Sequence, residues 1–361
     1  MKKSDGHKKR ILKRLAEKSF RRKLCSKFKK KQRNKKLLGV NEQQREEKNF
    51  KHKIETQFVG YKRIKAPVIF SLIDNTEESL AFIAEIEDCF KKKKKVFVNL
   101  EKVEIIAHGA IVAMLSILVK FKENKIDFNG NFPKNKQTEA KLRKSGFFKY
   151  LYKKDFKEQD EYFFENEICT HAKKTVDSQL SDDIIKRTSK LIWKEERRCT
   201  GLQRVFLELM QNTNNHASNT SKGEYHWWAT TYYSKEENKV CFAFIDYGVG
   251  ILKSLESNKK GHKFFGIIPK LKKAFNPTTN ADVLKLLLNG EVHKTATGDY
   301  FRGKGLPGIF SACKNNKISN LVIISNDAIA DYAQNKYESL NNKLSGTFVY
   351  WELNADNVNI K

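Results

Sequence analysis

At 361 residues the chain has room for two ordinary domains, each with its own core. It is 39% hydrophobic with a net charge of +29, and 18 lysines and arginines stand against two acids, Asp5 and Glu17, in residues 1–40 alone. Six cysteines without a C-x-x-C pair argue against a disulfide or zinc framework, the apolar run AIVAMLSILV (110–119) is too short for a bilayer span, and no apolar h-region marks a secretory signal, so a cytoplasmic protein is expected.

Residues 1–58 carry basic blocks such as RRK (21–23) and KFKKKQRNKK (27–36) with too little apolar material for a core. They are expected to form a disordered or helical basic arm. Through residues 1–40 such an arm can neutralise the phosphates of RNA or DNA. A membrane surface suits it less, because the arm lacks Trp and is sparse in Leu and Phe.

From residue 59 the pattern alternates. VIFSL (68–72), VFVNL (96–100) and KIDFNG (125–130) read as strands. Asn75 with Glu78 reads as a capping pair for a helix carrying Leu80, Ile83, Ile86 and Phe90. GAIVAMLSILVKF reads as a buried helix, and a polar helix around TEAKLRKSG can close on Gly146. Residues 59–160 are therefore an α/β domain, and 161–177 read as a connector.

Residues 178–361 form the second expected domain. Ser181, Asp182 and Asp183 can cap a helix with Ile184, Ile185, Leu191 and Ile192 on its apolar face. Leu202, Val205, Phe206, Leu209 and Met210 keep the helical stripe of the next one. Glu208, Asn212 and His216 recur every four residues and border that stripe, a polar row at the rim of a buried face. EYHWWATTYY (224–233) and NKVCFAFIDYG (238–248), joined by SKEE, read as a hairpin. An irregular region runs to about 302, followed by a glycine-rich turn, a helix, and strands at 320–325 and 347–353. Helices on one face of a mostly antiparallel sheet make this half α+β.

Four short motifs fall in order along this half. E-x-x-x-N-x-x-x-H runs from Glu208 to His216, DYGVG (246–250) ends a strand, GKGLPG (303–308) opens a helix, and Gly346–Thr347 begins the last strand. Each alone is weak: an acid with glycines at a strand end is an ordinary turn, and glycines before a helix suit any anion. Together they resemble the GHKL ATP-binding fold of gyrase, the heat-shock 90 chaperones, MutL and histidine kinases, over about 176–355. The resemblance implies a sandwich of helices on one face of a mixed sheet. It implies that Asn212 holds Mg²⁺ on the phosphates of ATP and that Asp246, with Thr347, receives the adenine amino group. Gly248 and Gly250 would let backbone approach the base, while Gly303, Gly305 and Gly308, with Arg302 or Lys304, would wrap the phosphates. Residues 252–302 would be the lid, and Glu208 the general base. Pro307 stands where relatives often carry glycine, and His216 is given no catalytic role.

VFVNLEKVEIIAHGAIVAMLSILVKFKENK with SGFFKYL resembles the STAS domain of anti-anti-sigma factors, but IIAHGA places His108 and Gly109 where that family has a phosphorylatable serine. This half is therefore a degenerate, docking or sensing module. Three functions are in play: an ATP-driven switch with slow hydrolysis, an anti-sigma-type serine/threonine kinase, and a nucleotide-dependent binding module without turnover. The first is favoured, with a protein partner. Members of the family often form homodimers. Self-phosphorylation is disfavoured because SQLSDDIIKRTSKLIWKE contains no histidine and His171 lacks a paired-helix context.

Overall fold

Only Ile64 of the KRIK stretch turns inward, and that single side chain seats an edge strand. In the computed structural model, which describes residues 58–152, 168–216, 227–255, 271, 273–291 and 305–357 (168, 169 and 214–216 by backbone alone), β1 (Lys62–Lys65) pairs in parallel with β3 (Val96–Asn99), and β3 with β5 (Phe128–Gly130). A second, two-residue parallel pair joins β2 (Ile69–Phe70) to β4 (Ile105–Ile106). The strand expected over 68–72 is thus cut to two residues, because the Ser71 hydroxyl bonds Asp74 at 2.7 Å and turns the chain.

The helices of this half are α1 (Thr76–Lys91), α2 (His108–Glu123), α3 (Lys136–Lys144) and α4 (Phe147–Tyr152). Asn75 does occupy the N-cap of α1. Its amide, however, donates to the Glu78 carboxylate and the Ile69 carbonyl instead of accepting from the helix. Gly146, at φ +78°, lies between α3 and α4. Every residue of α2 from His108 to Val119 is buried, as befits a helix packed on both sides.

The second half is one five-stranded sheet in the order β6 (Ile168–Lys173), β7 (Trp227–Ser234), β8 (Lys239–Asp246), β10 (Lys336–Asn354), β9 (Ser319–Asp331). All four pairings are antiparallel, so the sheet is not the mixed one expected. β6 lies inside the stretch read as a connector, and His171 sits buried upon it. Strand alternation sends Phe242, Phe244, Val349 and Trp351 to one core and Ala243, Ile245 and Phe348 to another. The first face carries α5 (Ser178–Trp193), α6 (Thr200–His216), α7 (Ile251–Leu255), α8 (Asn280–Leu288) and α9 (Gly305–Lys314).

The second face is covered by α1 and α2, which corrects the expectation of helices on one face only. Gly109 marks a close approach: a Cβ there would lie 2.9 Å from the Phe348 ring. The irregular stretch of β10 between Ser339 and Leu344 also reaches α1, where the backbone N–H groups of Asn341 and Asn342 donate to the Glu77 carboxylate at 2.8 and 3.2 Å. Tyr61–Lys361 is accordingly one compact unit of mixed α/β structure, with a core shared between its halves. Met1–Gly60 is a separate unit, and the arm expected over 1–58 lies outside the described residues up to 57. Among the described residues no helix is long and apolar enough to cross a membrane.

Two further expectations change. Asp177, not Ser181, caps α5, accepting from the Leu180 N–H at 2.8 Å, while Ser181 is buried one turn inside. The segment 252–302 is not wholly irregular: Thr279 and Asp282 form a capping box that starts α8, whose Leu284, Leu287 and Leu288 are buried in the core.

Candidate functional site

The stripe of α6 fixes where its polar row points. Leu202, Val205, Phe206, Leu209 and Met210 are buried, and Phe206 meets Phe242 and Trp351 edge-on at 5.7 and 5.2 Å. Glu208 and Asn212, flanking that stripe, stay half-buried at its rim. Opposite them begins α9. A Cβ on Gly305 would lie 3.0 Å from the Glu208 carboxylate and 3.3 Å from the Asn212 amide. A Cβ on Gly308 would come within 2.5 Å of the Arg204 guanidinium, and Arg204 in turn lies 3.8 Å from Glu208. The missing side chains let the first turn of α9 lie beside an acid, an amide and a cation. Arg204 extends the four-residue row by one turn, a signal present in the sequence but not read there.

The second cluster gathers at the end of β8. Asp246 is in register with Thr347 on β10 and Trp227 on β7. The Gly248 N–H donates to its carboxylate at 2.9 Å. Burial pushes the Asp246 carboxyl up to about 6, against the opposing pull of the Gly248 N–H, the Lys120 charge and the Thr347 hydroxyl. Such a group is a carboxylate at neutral pH, ready to accept from a ligand N–H.

Around it, Ser325 and Asn326 at the bend of β9 do work that the sequence reading missed. The Ser325 hydroxyl lies 3.2 Å from that of Thr347 and receives the Ile251 N–H at 2.8 Å. The Asn326 amide donates to the Val249 carbonyl and accepts from the Leu252 and Lys253 N–H groups, so it fastens the DYGVG turn and the start of α7 to β9. Gly250, at φ +80°, leaves room for that amide, which a Cβ would meet at 2.5 Å. The polar pair breaking the apolar run NLVIIS was the available clue.

By strand parity Asp246 and Thr347 follow Phe244 and Val349, so both clusters belong to the sheet face that carries α6. Of the remaining expected residues, Arg302, Gly303 and Lys304 lie outside the described residues, as does the side chain of His216. Among the described residues no group of three or more His, Cys, Asp or Glu could hold a metal. A hard cation beside Asn212 would draw its other oxygen ligands from phosphates and water.

Comparison with protein-family models, curated proteins and solved structures found no match for this chain.

Proposed function

We propose that Tyr61–Lys361 binds Mg-ATP in the manner of the GHKL fold, behind a degenerate STAS-like half, and works as a conformational switch with slow hydrolysis. The reading rests above all on Gly305, whose missing side chain lets the phosphate-type glycine turn meet the Glu208–Asn212 row. An amide and a helix N-terminus side by side suit phosphate oxygens. The Asp246 carboxylate, half-buried and flanked by the Gly248 N–H and the Thr347 hydroxyl, suits an amino group on a base.

In this reading Asn212 would hold Mg²⁺, which would neutralise phosphate charge. Glu208 holds and deprotonates a water aimed at the γ-phosphate, whose transfer to that water leaves ADP and free phosphate. Arg204 holds the Glu208 carboxylate at the rim. The shared core passes a change at this face to α2 and the β9–β10 arm, where a protein partner can sense it. The basic arm is proposed to hold RNA or DNA, which deletion of residues 1–40 would test through salt-sensitive retention.

The decisive experiment follows the γ-phosphate of labelled ATP with Mg²⁺, wild type beside Glu208→Ala. Free phosphate from the wild type, lost in a variant that still binds ATP, supports the switch. Label on a lysate protein would move the function to a kinase. Absence of saturable ATP binding would remove the nucleotide reading.

A further inference from the structure

The last residue of β8 and the first one beyond it turn to opposite faces of the sheet. Asp246 follows Phe244 toward α6, whereas Tyr247 packs on the core that holds α2. One peptide bond therefore joins the proposed base acceptor to a side chain lodged against the other half of the molecule.

That lodging involves three residues of one helix side. Ala113, Ser116 and Lys120 stand at i, i+3 and i+7 on α2 and so face the same way. The Tyr247 hydroxyl donates to the Ala113 carbonyl at 3.0 Å, and the Ser116 hydroxyl bonds the same carbonyl at 2.7 Å. Small side chains at 113 and 116 let the phenol come this close to the helix backbone. Two turns on, the Lys120 ammonium stands 4.5 Å over the Tyr247 ring. Burial pushes the Tyr247 phenol far above its ordinary value, so it stays a donor at neutral pH.

Lys120 acts on the acceptor as well as on the ring. Its charge favours the Asp246 carboxylate, against the burial that raises that carboxyl. The Gly248 N–H and the Thr347 hydroxyl of β10 act in the same sense, while Glu87 of α1 is the neighbouring acid that acts on Tyr247 beside Asp246 itself. On the strand side, a Cβ on Gly346 would lie 2.9 Å from the Tyr247 Cα, so β10 holds the same dipeptide closely. With β10 on one side, a displacement of α2 either drags Tyr247 or breaks its bond to Ala113. Both disturb Asp246.

We infer, resting on the nucleotide reading proposed above, that α2 is a control element of that site: through Tyr247 and Lys120, its seating on the sheet sets the position and charge of the Asp246 acceptor. Linkage makes the control mutual, so bound nucleotide favours the seated position of α2. A protein partner that shifts α2 lowers nucleotide affinity without touching the pocket.

The test compares the full-length chain with Tyr247→Phe, Lys120→Met and Lys120→Arg. Tyr247→Phe keeps the ring and loses only the bond to Ala113. Carbon NMR of the Asp246 carboxyl, assigned through Asp246→Asn, follows its titration without nucleotide. The midpoint should rise by about half a pH unit in Lys120→Met and return in Lys120→Arg, which a merely structural lysine would not produce. Calorimetry should then find Mg-ATP bound about threefold more weakly by Lys120→Met at about pH 5 and equally at about pH 8. Amide hydrogen exchange across α2 should slow when Mg-ATP binds the wild type and hardly respond in Tyr247→Phe.

ATP binding that leaves α2 exchange unchanged, or an equal response in Tyr247→Phe, would overturn the coupling while the nucleotide reading stands. A midpoint indifferent to Lys120→Met would take Lys120 out of the control element. Absence of saturable ATP binding in the wild type would remove the nucleotide reading and the control of it together.

Discussion

Gly346 carries its backbone so close to Asp246 that a Cβ upon it would lie 2.0 Å from the Asp246 carbonyl oxygen. Its φ of +116° is open to glycine and hostile to L side chains. The two residues sit on neighbouring strands, where Thr347 pairs with Asp246. Close approach of β10 at this point is thus what sets the Thr347 hydroxyl beside the carboxylate.

Gly346→Ala and Gly308→Ala should therefore differ sharply, although both glycines are tightly packed. At 346 the obstacle is backbone, and the positive φ adds strain, so the alanine variant should lose about 2 kcal/mol or more and its nucleotide affinity together. At 308 the obstacle is the tip of an exposed arginine, which can swing aside. Alanine also favours a helix by about 1 kcal/mol over glycine, so stability should hold or rise. Urea unfolding of the two variants beside wild type checks both signs.

The raised pKa of Asp246 gives two opposite pH dependences. Between the ordinary value near 3.8 and about 6, the folded chain holds a proton that the unfolded chain has released. Raising the pH through that window therefore removes stability. The proposed nucleotide binding should run the other way, because an amino group donating to Asp246 would need the carboxylate, and affinity should fall about tenfold for each pH unit below about 6. Asp246→Asn should abolish ATP binding and flatten this part of the stability profile. Calorimetry from pH 5 to pH 8, chosen to bracket the shifted value of about 6, with unfolding curves over the same range, tests both. Unchanged ATP affinity in the variant would take Asp246 out of the site.

The placement of the candidate site's polar row was legible because its signals are local. An i, i+4 row needs only the period of a helix, and Glu208 and Asn212 lie at the rim of α6 as that period requires. What escaped depended on partners remote in sequence. β1 is charged at three of four positions and exists because Ile64 finds the core beside β3. The second helical cover of the sheet was invisible for the same reason: Gly109 and Phe348 are far apart in the chain and meet only once both halves are folded. The polar stretch 336–339 escaped for another, since it pairs locally with 328–331 across the 332–335 turn but carries no apolar run. The start of α8 was different, since Thr279 and Asp282 spell a capping box that could have been read.

Two ion pairs, Lys239–Glu352 and Lys62–Glu85, should matter unequally. Glu352 is buried and accepts from Lys239, Asn320 and the Tyr350 hydroxyl, with side-chain exposures of 6% for Glu352 and 22% for Lys239. Removing the ammonium by Lys239→Met strands a carboxylate away from water, which costs about 3 kcal/mol or more. Lys62 and Glu85 make a shorter contact, 2.7 Å, but both are 42% exposed. There water replaces the lost partner, so Lys62→Met should change stability by less than about 1 kcal/mol. Adding Glu352→Gln to Lys239→Met should recover much of the loss, because the neutral amide no longer needs a counter-charge. Urea midpoints at constant m-value decide the matter. Equal effects of the two lysine substitutions would mean that water reaches Glu352 and that its burial carries no cost.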